Sequence, residues 1–153
     1  MNKLEHRIPP PILMVFTAFA MWGAVRLLPG VHSSPVWRFA GGAGFGLIAL
    51  VFGGSGIRAF LRARTTINPV QIDQASQLVT AGIYGVTRNP MYVGLTALLT
   101  GWAFWLAAPW VLVGPLLFAL FIDRFQIIPE ERVLITNFGS EYEDYRRRVR
   151  RWL

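Results

Sequence analysis

Residues 90–128 read PMYVGLTALLTGWAFWLAAPWVLVGPLLFALFIDRFQII, with no charged side chain before Asp123. A bilayer's hydrocarbon core is about 30 Å thick and a helix rises about 1.5 Å per residue, so one crossing takes roughly 20 mostly apolar residues. The stretch is long enough for two. It predicts a helix from Pro90 to Ala107 and another from Pro109 to Ile128, with only Ala108 between them. So short a link requires an antiparallel hairpin.

Two more apolar runs precede it. The first predicts a helix from Pro11 to Leu28 that ends at Pro29-Gly30, where a helix cannot comfortably continue. After a turn over Val31 to Pro35, the second predicts a helix from Val36 to Ile57. That helix carries Gly42, Gly46 and Gly53, small residues that let a neighbouring helix approach closely. Lys3 and Arg7 ahead of Ala18-Phe19-Ala20 loosely resemble a signal peptide. Pro9-Pro10-Pro11 at the head of the run, and its continuation to Leu28, fit a retained first helix better. The 153 residues are 54% hydrophobic and 15% charged, with a mean hydropathy of +0.43, too apolar for an ordinary soluble domain of this size. The expected fold is all-α: a multi-pass membrane protein with about four transmembrane helices, forming a single membrane domain over residues 1–153.

The net charge of +7 does not indicate nucleic acid, because long apolar runs separate the basic residues instead of a soluble basic face gathering them. Membrane topology accounts for them. Lys3 and Arg7 precede the first helix, Arg26 and Arg38 flank the first turn, and the remaining Lys and Arg residues all fall from Arg58 onward. The positive-inside rule places both termini and the polar segment in the cytoplasm, with the Val31 loop and the Ala108 turn outside. The chain has no cysteine, which excludes disulfides, thiolate metal sites and cysteine nucleophiles, and no metal site is expected. The sequence sets no oligomeric state.

Between Arg58 and Tyr84 the chain turns polar, with Arg58, Arg62, Arg64, Asn68, Gln71, Asp73 and Gln74, so this segment is expected outside the hydrocarbon. Asn89 and Pro90 have the form of a helix start, Asn as cap and Pro at the first helical position. From Ser140 to Leu153 the pattern predicts an amphipathic helix. Ser140 and Glu143 have capping-box spacing, and Tyr142, Tyr145, Val149 and Trp152 recur on one face. Arg146, Arg147, Arg148, Arg150 and Arg151 form a basic face suited to anionic headgroups or to water.

The hairpin brings two charged clusters to one membrane surface: Thr87-Arg88-Asn89-Pro90-Met91-Tyr92 and Glu130-Glu131-Arg132. Asp123, Gln126 and Glu130 share a face of the last helix, and Pro129 should kink it. Ionisable groups at membrane depth face a protein interior or a wet cavity. The cluster is either a reaction site or a set of ion pairs, such as Asp123 or Glu130 with Arg88 or Arg124, that tie helix ends together.

Four ordered blocks carry a family resemblance. They are Leu78-Val79-Thr80-Ala81-Gly82-Ile83-Tyr84, Thr87-Arg88-Asn89-Pro90-Met91-Tyr92-Val93-Gly94, Glu130-Glu131-Arg132-Val133-Leu134, and Phe138-Gly139-Ser140-Glu141-Tyr142-Glu143-Asp144-Tyr145. From about Thr65 onward the chain resembles the isoprenylcysteine carboxyl methyltransferase and phospholipid methyltransferase group. The resemblance implies a cofactor-binding methyltransferase core over residues 58–153; residues 1–57, read from their apolar runs as two N-terminal transmembrane helices, contribute nothing to it. It implies S-adenosylmethionine as cofactor, S-adenosylhomocysteine as product, and a lipid-like or prenylated acceptor drawn from among membrane lipids. The implied cofactor-binding residues are Leu78, Val79, Gly82, Tyr84, Asn89, Pro90, Tyr92, Glu130 and Glu131, and the implied catalytic residues are Arg88, Glu130 and Arg132. Where the family usually has His, this chain has Asn89, which can hydrogen-bond but cannot act as an imidazole base. Ile83 likewise replaces a frequent Pro. A prenylcysteine-type carboxylate is the leading acceptor, with a phospholipid amine as an alternative. Two other classes compete: a nicotinamide-dependent membrane reductase, since sterol reductases have a similar Arg-x-Pro-x-Tyr block, and a non-catalytic membrane module.

Overall fold

The computed structural model describes residues 8–28, 34–63 and 78–153. Of the expected turn after the first helix, residues 31–33 lie outside the described residues, while Ser34 caps the next helix and Pro35 opens it. Arg64, Asn68, Gln71, Asp73 and Gln74 of the polar segment, together with Lys3 and Arg7, also lie outside the described residues.

Every element of the described residues is helical, apart from one isolated bridge between Thr87 and Arg150. Helix α1 runs Pro10–Leu27 and α2 runs Pro35–Ala49, each opened by a proline, whose absent N–H is unneeded in the first turn. A π turn, Leu50–Gly54, joins α2 to α3, Ser55–Ala63. The second helix therefore continues past the expected end at Ile57. Its extension is amphipathic: Ile57 and Phe60 line a cavity, while Arg58 and Arg62 are exposed. Three helices are long and apolar enough to cross a membrane: Pro10–Leu27, Pro35–Ala63 and Pro109–Phe138. Helix α4, Pro90–Leu106, is equally apolar but, at 17 residues, one residue shorter than the shortest of these.

At the end of α4 the chain reverses through Ala107, which adopts a left-handed conformation, and an extended Ala108. A 3-10 turn, Pro109–Leu112, leads into α5, Val113–Ile122. The break expected at Pro129 appears one turn earlier, as a π turn over Asp123–Ile127 closed by the Ile128 N–H on the Asp123 carbonyl. Widening the helix there lets α6, Ile128–Phe138, accept Pro129 in its first turn. The return path brings Glu130 of α6 within 2.6 Å of Tyr92 in the first turn of α4.

The described core lies where α1, α4 and α5 meet, with Leu99, Val111, Phe118, Ile122 and Ile127 almost fully buried. Helix α4 packs most extensively on α2, and glycine permits the approach. A Cβ on Gly94 would lie 2.9 Å from the Gly53 nitrogen and 3.1 Å from the Ala49 carbonyl. Apolar side chains such as Phe16, Phe19, Leu47, Leu50, Leu117 and Leu120 point outward, a surface suited to lipid.

Two expected helix signals are realised differently. Asn89 does not cap α4 with its side chain; its amide Nδ2 donates to the Arg151 carbonyl at 3.0 Å. Ser140 forms no capping box either. Gly139, at φ +51, takes the cap position and its carbonyl accepts the Glu143 N–H. Helix α7 covers Ser140–Arg148 and stops there, because Val149 is extended.

Candidate active site

Four segments converge on one polar corner. A 3-10 turn at Gly82–Gly85 presents Tyr84, the loop after it presents Thr87 to Asn89, α6 opens with Glu130 and Glu131, and residues 149–152 pass beneath. Arg88 is buried, its side chain 8% exposed. Its Nη2 donates to Glu131 Oε1 at 2.7 Å and its Nη1 to the Arg146 carbonyl at 3.1 Å. Arg151 forks onto Glu131 from the other side, Nη2 to Oε2 at 2.6 Å and Nε to Oε1 at 3.1 Å, a bidentate geometry that strengthens charge-assisted bonds. Its Nη1 also reaches Asp123, which accepts from Trp152 Nε1 at 3.1 Å.

The paired carboxylates of the sequence therefore have different surroundings. Glu131 holds two arginines. Glu130, also buried, accepts from the Tyr92 hydroxyl and has no basic partner among the described residues. The ion pairs weighed from the sequence form with other partners: Arg88 pairs with Glu131, and Asp123 with Arg151. Arg151 also leaves the exposed basic face expected of it, turning inward while Arg146, Arg147, Arg148 and Arg150 stay exposed.

Three tyrosines close the corner. Tyr145 donates its hydroxyl to the Tyr84 carbonyl at 2.7 Å, Tyr142 packs edge-on to Tyr145, and Phe60 of α3 packs edge-on to Tyr84. Burial, reinforced by nearby Glu131, pushes the Tyr142 hydroxyl up to about 12, and burial also raises Tyr84 and Tyr145. All three remain neutral hydroxyls near pH 7, able to donate but not to act as bases.

Above this corner lies a cavity of about 970 Å³. At one end it is lined by Tyr84, Arg88, Asn89, Glu130 and Glu131; along its length the walls are apolar, from Leu50 and Gly53 to Leu95 and Leu98. Leu98 stands nine residues beyond Asn89, which sets the cavity's reach along α4 at roughly 13 Å. A shallower groove of about 360 Å³ between α2 and α4 shares Gly46 and Leu98 with the cavity and continues toward Trp102 and Trp105. One further feature marks the polar end. The Arg88 Nε is buried and has no hydrogen-bond partner among the described residues, a donor whose desolvation is uncompensated.

Of the residues singled out from the sequence, Leu78, Val79, Tyr84, Arg88, Asn89, Tyr92, Glu130 and Glu131 line the cavity. Gly82, Pro90 and Arg132 do not. Gly82 makes the turn before Tyr84 at φ +64, Pro90 is buried against α3 at Gly56, and Arg132 is exposed one position round α6. Sequence reasoning missed Phe60, the Pro9-Pro10-Pro11 segment and Arg151. Phe60 and the prolines line the cavity from elements that carry no motif, and Arg151 is hidden among like residues in a basic run.

The sequence pattern of the phospholipid methyltransferase family matches residues 37–141, which span α2 to the start of α7. The chain belongs to this family. Among curated relatives of this family member, methanethiol S-methyltransferase 2 of Bradyrhizobium diazoefficiens is 41% identical over 70 residues, 44% of this chain and 25% of that protein. Protein-S-isoprenylcysteine O-methyltransferase of Schizosaccharomyces pombe is 40% identical over 75 residues, 47% of this chain and 30% of its own length. The mouse protein of the same name is 35% identical over 115 residues, 68% of this chain and 38% of its length. The chain thus spans between a quarter and two fifths of these named methyltransferases. No solved structure matches it.

Proposed function

We propose that the chain is an S-adenosylmethionine-dependent methyltransferase acting at the cytoplasmic membrane interface on a lipid-like acceptor, a prenylcysteine-type carboxylate or a similar small anionic head on an apolar chain. One observation carries this reading. The polar end of an otherwise apolar cavity holds a buried carboxylate without a basic partner among the described residues, Glu130, and a buried guanidinium with an unmatched donor, Arg88 Nε. Those are the complements of a cationic cofactor and of an anionic acceptor.

The residues present fit the cofactor. Glu130 offers a carboxylate to its positive charge, Tyr84 and Tyr92 offer aromatic faces, and Leu78, Val79 and Asn89 complete that end of the wall. When bound, S-adenosylmethionine supplies an electrophilic methyl group. Arg88 then orients the anionic end of the acceptor, and the apolar walls from Leu50 to Leu98 hold its chain and exclude water. Alignment and desolvation are the main catalytic tasks in such a displacement. A carboxylate or thiolate acceptor needs no proton removed, which suits a site where Asn89 stands in the place of an imidazole. The relatives' names include an oxygen and a sulfur acceptor, isoprenylcysteine and methanethiol, and each fits this demand. Arg132, exposed and off the cavity wall, is left out of the set. In this reading α4 also crosses, as the third of four spans in chain order, and the arginine-rich side, with both termini and the polar corner, faces the cytoplasm.

Titration calorimetry of the purified chain in detergent tests the reading. S-adenosylhomocysteine should bind saturably, and Glu130→Ala should weaken it about tenfold or more, the worth of a bond to a charged group, with helix content retained. Absence of binding by the unaltered chain, or binding of a nicotinamide dinucleotide in its place, would sink the proposal.

A further inference from the structure

The family match ends at residue 141, yet the corner is completed by residues beyond it. After α7 the chain runs extended, and this strap is tied down at both backbone and side chains. The Arg88 N–H donates to the Arg150 carbonyl at 2.9 Å. The Arg151 carbonyl accepts two bonds, from Thr87 Oγ1 at 3.1 Å and from Asn89 Nδ2 at 3.0 Å. Thr87 is completely buried, so its hydroxyl is committed to this role. With its backbone held from that side, Arg151 directs its guanidinium to Glu131 and Asp123, and Trp152 adds a bond to Asp123.

Arg151 does not line the cavity, but its partner does. Glu131 Oε2 accepts from Arg151 alone among the described residues, while Oε1 is shared between Arg88 and Arg151. Without Arg151, one carboxylate oxygen of Glu131 loses its partner and the negative charge beside Glu130 loses half its compensation. Glu131 is then free to rotate, and Arg88, whose side-chain position depends on Glu131 and one backbone carbonyl, is free to move with it.

We propose that Arg151 is a positioning residue of the site: by forking onto Glu131 from outside the cavity, it holds Arg88 at the wall and leaves Glu130, which has no basic partner among the described residues, to face the cofactor. Asn89 is the anchor for this arrangement, holding the strap by its amide. The inference rests on the methyltransferase reading given above.

The test is S-adenosylhomocysteine affinity, measured by calorimetry on the full chain in detergent. Arg151→Gln should weaken binding about tenfold, the loss expected from a bond to a charged group acting through position. Arg151→Lys, which keeps the charge but cannot fork, should recover part of that loss. Trp152→Phe removes the bond to Asp123 and part of a ring packed on the core, leaves the fork of Arg151 on Glu131 intact, and should bind as the unaltered chain does. In a Glu131→Gln background, Arg151→Gln should cost nothing further, because the two act as one unit. Unaltered affinity in Arg151→Gln, full additivity with Glu131→Gln, or an equal loss in Trp152→Phe would each overturn the inference while leaving the cofactor site standing. If Arg151→Gln does not fold, the comparison of Arg151→Lys with Trp152→Phe decides. An unaltered chain that binds no S-adenosylhomocysteine overturns the functional reading, and the role of Arg151 with it.

Discussion

In each of the two N-terminal spans, Pro10–Leu27 and Pro35–Ala63, 11% of the apolar window is buried within the protein, whereas in Pro109–Phe138 the share is 39%. The second helix meets α4 through small residues, the first packs Met21 against Gly114 of α5, and both turn most of their apolar surface outward. The later part of the chain, from Tyr84 onward, is tied by charged and polar groups drawn from four segments. The contrast follows from the solvents. In lipid an exposed leucine costs nothing, so a spanning helix needs only shape to dock. Inside the protein a buried charge is costly unless paired, so the corner is held by its ion pairs.

Breaking the polar half should have the largest effect. Glu131→Ala would leave Arg88 and Arg151 without their shared carboxylate, and unfolding in detergent should show a loss of about 3–5 kcal/mol. A smaller loss would mean that water reaches the corner and screens it.

The apolar half should break by shape instead. Gly94→Ala forces a methyl against the Gly53 and Ala49 backbone and should cost about 1–3 kcal/mol by thermal unfolding. Gly53→Ala makes only an ordinary contact, its Cβ 3.9 Å from the Gly94 Cα, and should cost nothing measurable. Equal losses would show that the helices do not meet face to face at that level.

Asn89 separates anchoring from chemistry. Asn89→Leu removes the bond to the Arg151 carbonyl and should cost about 1 kcal/mol in unfolding experiments. Asn89→His restores a ring N–H that can donate in the same direction, and should recover most of both stability and cofactor affinity. Recovery of neither would mean that the amide does more than hold the strap.

The smallest effect is expected at the lipid face. Leu117→Ala, on the outward side of α5, should change stability by less than about 0.5 kcal/mol. A larger loss would point to an unrecognised partner on that surface.

Much of the fold was legible because apolar run length is a direct physical signal. The helix starts expected at Pro11, Val36, Pro90 and Pro109 lie within one residue of those observed, Pro10, Pro35, Pro90 and Pro109, since proline is tolerated in a first turn. Their ends were less legible. The second helix passes Ile57 because Phe60 finds an aromatic partner, Tyr84, that lies far along the chain. The π turn at Asp123–Ile127 was likewise hidden, since it depends on how α6 meets the corner rather than on any local pattern.

The sequence by itself determined an apolar, helical chain with its acidic pair and Arg88 near one surface, because helical rise and bilayer thickness leave few other arrangements. Only the tertiary structure decided what each charge does. Glu130 and Glu131 are adjacent and chemically identical in the chain. Helical rotation turns one to Tyr92 and the other to two arginines, and Arg151 looks like its neighbours until the strap turns it inward. Pairing over such sequence distances is set by packing, and a one-dimensional pattern carries no record of it.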